Sequence, residues 1–159
     1  MSKITPCLWY NNNIEEAVNF YKAIFKNSKL LSEARYPAGS PSEFEGKLMT
    51  ATLEIEGQEL IMLNGGPGFE FTEAISFFVK CKDQTEVDYY WERLTADGGE
   101  ESQCGWLKDR FGLSWQIVPD LLGELMNDSD KEKASRVMQA MLKMKKIDSE
   151  LLQKAYDNK

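Results

Sequence analysis

The chain opens on a short apolar run, Ile4 to Tyr10, rich in strand formers, after which Asn11, Asn12 and Asn13 supply turn and helix-capping chemistry. From Ile14 the period changes. Ile14, Ala17, Val18, Tyr21 and Ile24 recur at three- and four-residue spacing until Lys26-Asn27-Ser28, which predicts an amphipathic helix of about three turns. Lys29 to Tyr36 then reads as a strand, and Pro37, Gly39 and Pro41 mark a loop. Leu48 to Glu54 and Glu59 to Leu63, joined across Glu56-Gly57, predict two further antiparallel strands in a tight hairpin. The order is βαβββ, and the turn cluster Asn64-Gly65-Gly66-Pro67-Gly68 marks a junction after it.

The second half repeats the plan. Ala74 to Cys81 predicts a strand and Asp83 to Asp97 a helix stopped by Gly98-Gly99. Cys104 to Lys108 and Leu113 to Val118 predict two strands around the turn Asp109-Arg110-Phe111-Gly112. Sliding the sequence by 70 positions lays Asn13 on Asp83, Glu16 on Glu86 and Phe20-Tyr21 on Tyr90-Trp91. Each helix therefore begins with a cap and later presents two rings, the positional signature of an internal duplication. After Pro119 the pattern is helical: Asp120 to Met126, then Lys131 to Met144 behind the cap Asp128-Ser129-Asp130, then a helix from Asp148 carrying Leu151, Leu152 and Ala155. Ala134, Val137, Met138, Met141 and Leu142 form one stripe, which predicts core packing or a dimer contact. The organisation expected is a first module at 1–66, a second at 67–120 and a helical extension at 121–159.

Composition narrows the function classes. Nineteen Lys and Arg against 26 Asp and Glu give a formal charge of −7, which disfavours nucleic acid and anionic membrane, since phosphate contacts need a basic face. No apolar run approaches the roughly 20 residues that span a bilayer, and the opening MSKITPCLWYNNN lacks the apolar core of a signal peptide, so a cytoplasmic location is expected. Cys7, Cys81 and Cys104 show no C-x-x-C spacing and read as free thiols.

Three stretches carry a family resemblance: the first strand leading into N-N-N-I-E-E-A-V-N-F-Y, its repeat V-K-C-K-D-Q-T-E-V-D-Y-Y-W, and C-G-W-L-K-D-R-F-G-L-S-W-Q-I-V-P with the tail K-A-S-R-V-M-Q-A-M-L-K-M-K-K-I-D. Together they resemble the PhnB-like branch of the glyoxalase and bleomycin-resistance (vicinal oxygen chelate) superfamily, a branch often labelled 3-demethylubiquinone-9 3-methyltransferase-like. The resemblance implies an α+β fold in which two βαβββ modules form curved half-barrel sheets, glyoxalase/bleomycin-resistance/dihydroxybiphenyl dioxygenase-like, followed here by C-terminal helices. It also implies a homodimer and a cavity on the concave faces.

In metal-dependent members, the first and last strands of each module supply His, Glu or Gln to one divalent ion. The corresponding positions here hold Pro6, Ile61 or its neighbour Met62, Ser76 and Gln116, and the chain has no histidine. A divalent ion needs several imidazole or carboxylate ligands to offset its dehydration, so no metal is expected. No strand leads into a glycine-rich turn and helix of the kind that holds a nucleoside cofactor, so no cofactor is expected either.

Alternation from the mapped positions puts Leu8, Tyr10, Ser76, Phe78, Ser114, Gln116 and Val118 on the ligand side, with Cys104 and Trp106 turned inward on their strand. Ser76 and Gln116 carry polar groups into an apolar surrounding and so are candidates to orient a ligand. Glu59 and Asp109 are the acidic candidates near the sheet ends. The function expected is metal-independent binding of a small, partly apolar molecule of unknown identity. The alternatives are a metal-free enzyme acting on a quinone-like, phosphonate or antibiotic substrate, and an interaction protein that uses the C-terminal helices.

Overall fold

The computed structural model describes residues 3–159, which divide into two compact units, the first ending at Phe71 and the second running from Thr72 to Lys159. The first contains β1 (Cys7–Tyr10), α1 (Ile14–Ile24), β2 (Ser28–Arg35), β3 (Leu48–Ile55) and β4 (Gln58–Asn64). Its sheet runs β1-β4-β3-β2, with β1 parallel to β4 and the other pairs antiparallel. The expected helix stripe, Ile14, Ala17, Val18, Tyr21 and Ile24, is the buried face of α1. It covers one side of the sheet, where Leu8, Tyr10, Ala51, Leu53, Leu60 and Met62 are buried and the Tyr10 and Tyr21 hydroxyls meet at 3.1 Å. Glu56 and Gly57 both take positive φ, 48° and 83°, the geometry of a two-residue hairpin turn whose twist suits its flanking strands.

The start of α1 is capped from a distance. Asn13 occupies the cap position but its side chain makes no cap bond. Asn64, at the end of β4, accepts from Ile14 N–H through Oδ1 at 3.1 Å and donates from Nδ2 to the Leu48 carbonyl at 2.8 Å. One buried amide thus satisfies a helix-start donor and a strand carbonyl together. Just beyond, the Trp9 indole lies over Gly65, where a Cβ would fall 2.2 Å from the ring, and Trp9 Nε1 donates to the Gly66 carbonyl at 2.8 Å. Only glycine lets the backbone approach a ring this closely.

The second unit holds β5 (Phe77–Cys81), α2 (Gln84–Thr95), β6 (Glu100–Glu101), β7 (Trp106–Lys108) and β8 (Ser114–Pro119), then α3 (Asp120–Met126), α4 (Lys131–Met141) and α5 (Ser149–Asp157). Its sheet order, β5-β8-β7-β6, reproduces the first sheet strand for strand. The cap of α2 is as expected in kind: Asp83 accepts from Glu86 N–H at 3.0 Å, while Glu86 accepts from Lys82 N–H at 2.9 Å. Two expectations are corrected. Cys104 does not lie on a strand; it and Gly105 take left-handed φ, 59° and 82°, in a turn that delays β7 to Trp106. The short β6, formed by two charged residues without apolar alternation, was not anticipated.

The C-terminal helices pack around Leu122, Leu125, Val137, Ile147 and Leu152, and Val118 of β8, Met141 and Met144 pack against this cluster. The connection between α4 and α5 is tied to the sheet and α2 by successive groups. Met144 and Lys145 carbonyls accept from Cys104 and Gly105 N–H, each at 2.8 Å. Gln84 then donates to the Ile147 carbonyl at 3.0 Å and accepts from Ser149 N–H at 2.9 Å. No helix among the described residues is long and apolar enough to cross a membrane.

Candidate functional site

Each sheet has one face covered by its helix and one that the helix leaves open. In the first sheet the pairing of Cys7 with Ile61 and Leu8 with Met62 decides the faces. Leu8 and Tyr10 pair with the buried side and are 4% and 2% exposed beneath α1, whereas Cys7, Trp9, Ile61 and Leu63 share the open side. The structure therefore does not bring Leu8 and Tyr10 to the open face. The cause is that neighbouring positions of this strand are apolar on both sides, so alternation carries no label for inside and outside.

The second sheet differs. Trp106 of β7 pairs with Gln116 of β8, which pairs with Phe78 of β5, so these three form a row across the open face. Lys108 pairs with Ser114 on one side of that row, and Lys80 with Val118 on the other. Phe78 is 53% exposed, unusually open for a ring within a strand. Beside it an open hollow of about 390 Å³ is bounded by Phe78, Lys80, Val118 and, from α3, Gly123 and Glu124. A second hollow, about 120 Å³, lies at the β6–β7 side, and its lining includes Glu73, Glu100, Glu101, Trp106, Lys108 and Ser114.

Ser76 and Gln116, both partly buried, find their partners in one another: Gln116 Nε2 donates to Ser76 Oγ at 2.9 Å. Ser114 behaves oppositely. It is fully buried and its Oγ has no hydrogen-bond partner, an arrangement that costs stability unless something else supplies the bond. Across the same hollow Lys108 Nζ and Glu73 Oε1 are 2.6 Å apart. That contact holds the Glu73 carboxyl below its usual range and raises the Lys108 ammonium above its own. Glu73, Glu100 and Lys108 were not singled out from sequence; recognising β6 would have laid Glu100 beside Lys108 and exposed the grouping.

Of the two acidic candidates, Asp109 has a structural role. Asp109 is 2% exposed, and its carboxylate accepts from Phe111 and Leu113 N–H and from Trp115 Nε1 at 2.9–3.1 Å. It holds the β7–β8 turn and offers no free oxygen edge to a proton-transfer reaction. Glu59 pairs with Glu54 across the first hairpin. Burial, with Glu86 nearby, pushes the Cys81 thiol up to about 12, which disfavours its thiolate at neutral pH.

The four positions mapped onto metal ligands do not fit a divalent cation. Pro6 and Ile61 offer no side-chain donor, and the Pro6 carbonyl already accepts from Ile61 N–H at 2.9 Å. Ser76 and Gln116 are hydrogen-bonded to each other. Among the described residues no group of three or more His, Cys, Asp or Glu is placed to hold a metal ion.

Residues 2–118 match the family described as 3-demethylubiquinone-9 3-methyltransferase. No curated protein matches the chain. Among solved structures, a Bacillus cereus PhnB protein carrying the 3-demethylubiquinone-9 3-methyltransferase label is 32% identical, covering 74% of this chain and 99% of its own, with a TM-score of 0.67. Protein PA1353 from Pseudomonas aeruginosa is 21% identical over 75% of this chain and 98% of its own, at a TM-score of 0.62. The fosfomycin resistance protein FosX from Listeria monocytogenes, solved with Mn(II) and sulfate, is 19% identical over 72% of this chain and 88% of its own, at a TM-score of 0.53. The last two show the fold alone.

Proposed function

The chain belongs to the 3-demethylubiquinone-9 3-methyltransferase family, within the glyoxalase and bleomycin-resistance superfamily, and from that premise we propose that it is a metal-independent, dimeric, cytoplasmic protein that binds a small, partly apolar molecule on the open face of its second sheet. The observation that carries this reading is the row Trp106, Gln116 and Phe78: two aromatic rings flank an amide on the sheet face that α2 leaves open. Rings supply apolar contact area, and the Gln116 and Ser76 pair supplies polar atoms that can exchange partners to orient a ligand. The hollow beside Phe78 is of the size that small-molecule sites occupy, roughly 300–1,000 Å³.

Neither implied cofactor has a matching donor set. The mapped metal positions lack imidazole and carboxylate, and the turns after β1 and β5 are Asn11-Asn12-Asn13 and Lys82-Asp83, with none of the glycines that let a nucleoside phosphate or sulfonium approach backbone. Native mass spectrometry with and without Zn²⁺, Ni²⁺ and Fe²⁺ tests the reading as a whole. A metal-free dimer retaining an organic mass is the expected result, and one tightly held ion per subunit would overturn it.

A second reading, an interaction protein, draws on the C-terminal helices, where Met138, Leu142 and Leu151 are exposed although their neighbours are core. Gel filtration of Met138→Glu with Leu142→Glu distinguishes the two: loss of the dimer with ligand binding intact assigns the helices to association.

A further inference from the structure

The hollow at the β6–β7 side of the second sheet combines features that the apolar row does not. Glu100, Lys108 and Ser114 lie side by side across β6, β7 and β8 by register, and Trp106 follows on the same face. Glu73 reaches in from the segment before β5 to pair with Lys108. Glu101, which also lines the hollow, is engaged by Trp91 Nε1 at 2.9 Å and Lys145 Nζ at 3.9 Å, so Glu73 and Glu100 against the Lys108 ammonium leave one negative charge uncompensated. Ser114 borders the same space, and its hydroxyl is buried and without a partner. A buried hydroxyl left unpaired points to a missing group, and a carboxylate beside an indole defines the charge of that group as positive.

We propose that this hollow is a subsite for the head of an organic cation, an ammonium, amidinium or guanidinium group whose N–H donors are received by Glu100 and Ser114 Oγ while its charge lies against Trp106. The residues do not form a metal site, which leaves a cation that brings its own hydrogen-bond donors. At about 120 Å³ the hollow admits a polar head of a few heavy atoms, and any apolar remainder would extend along Trp106 towards Gln116 and Phe78. The inference thus rests on the reading of the open face as the ligand surface and adds the chemistry of one end of the ligand.

Benzamidine and benzamide separate charge from shape, because they differ little in outline and by one positive charge. Titrated into the full chain and followed by backbone amide shifts, benzamidine should move Glu100, Trp106, Lys108 and Ser114 and bind at least about fivefold more tightly than benzamide. Glu100→Gln should erase that preference. Lys108→Met, which frees the Glu73 carboxylate, should strengthen benzamidine binding, a gain that general destabilisation would not produce. Ser114→Ala should weaken benzamidine binding while raising the melting temperature of the unliganded protein, since an unpaired buried hydroxyl is removed.

Equal affinity for the two probes, or no shift at these four residues, would overturn the cation subsite. In that case menadione decides the rest: shifts at Phe78 and Gln116 would leave the ligand surface standing, and silence there would remove both readings.

Discussion

Replacing Ile147 by Ala tests whether the C-terminal helices and the second sheet share one core. Ile147 is fully buried, packed among Leu122, Leu125, Val137 and Leu152, and its Cγ1 lies 3.1 Å from the point where a Cβ on Gly105 would sit. The substitution deletes three carbons, worth about 2.4 kcal/mol at ~0.8 kcal/mol for each buried carbon. The space left behind raises the cost to about 3–4 kcal/mol, because its surroundings relax only in part. For a unit the size of residues 72–159, each kcal/mol moves the melting temperature by about 4–8 °C, so a fall of at least ~12 °C is expected. Trp91, Trp106 and Trp115 all belong to this unit, and in a Trp9→Phe background their fluorescence reports its unfolding alone. A loss below about 1 kcal/mol, or an early helical transition by circular dichroism that leaves the tryptophan signal in place, would refute the shared core.

Other expectations follow from single contacts. Asn64→Ala strands the Ile14 N–H and the Leu48 carbonyl together and should cost about 2–4 kcal/mol in urea unfolding; a loss under about 0.5 kcal/mol would mean that water replaces the amide. Gly105→Ala and Gly112→Ala both place a side chain at positive φ, but only at Gly105 would the new Cβ meet backbone, 2.9 Å from the Ile117 carbonyl. The Gly105 variant should therefore lose clearly more than the roughly 1–2 kcal/mol expected at Gly112, and equal losses would contradict the close approach. Asp88 is held below its usual carboxyl value chiefly by the hydrogen bond from Lys146. A depressed folded value stabilises above about pH 4 and is lost as pH falls through that lower value, so Lys146→Met should flatten the acid limb of a melting-temperature profile. An unchanged limb would show the pair contributes nothing.

Much of the fold is legible because each helix writes its packing into the sequence. The stripe from Ile14 to Ile24 is the buried face of α1, and Glu56-Gly57 marks a hairpin through the φ values that it permits. The cap Asp83 and the repeat offset recover the second module in the same way. What escapes is whatever depends on a partner distant in sequence. Neighbouring apolar residues Leu8 and Trp9 do not say which of them faces α1; the register with Met62 and Leu63 does. Asp109 resembles any surface carboxylate until Trp115 and two turn amides close on it. Ser76 and Gln116 are legible as a polar interruption, yet their mutual bond spans 40 positions and leaves no local mark. Glu100 and Glu101 are too few and too charged to announce a strand, and with β6 unseen the grouping around Ser114 had no outline.

The connection that ties α4 and α5 to the sheet has a consequence for the order of synthesis. The first unit has all its residues outside the ribosome once Phe71 has emerged, so it can close before the second unit is complete. The second cannot finish so early. Cys104, Gly105 and Gln84 wait for carbonyls and amides that arrive only with Met144 to Ser149, and the core waits for Leu152. Until those residues leave the ribosome, the apolar side of α3 and Val118 of β8 lack their cover, which makes this half of the protein, and not the half made first, the one that a chaperone would be expected to hold.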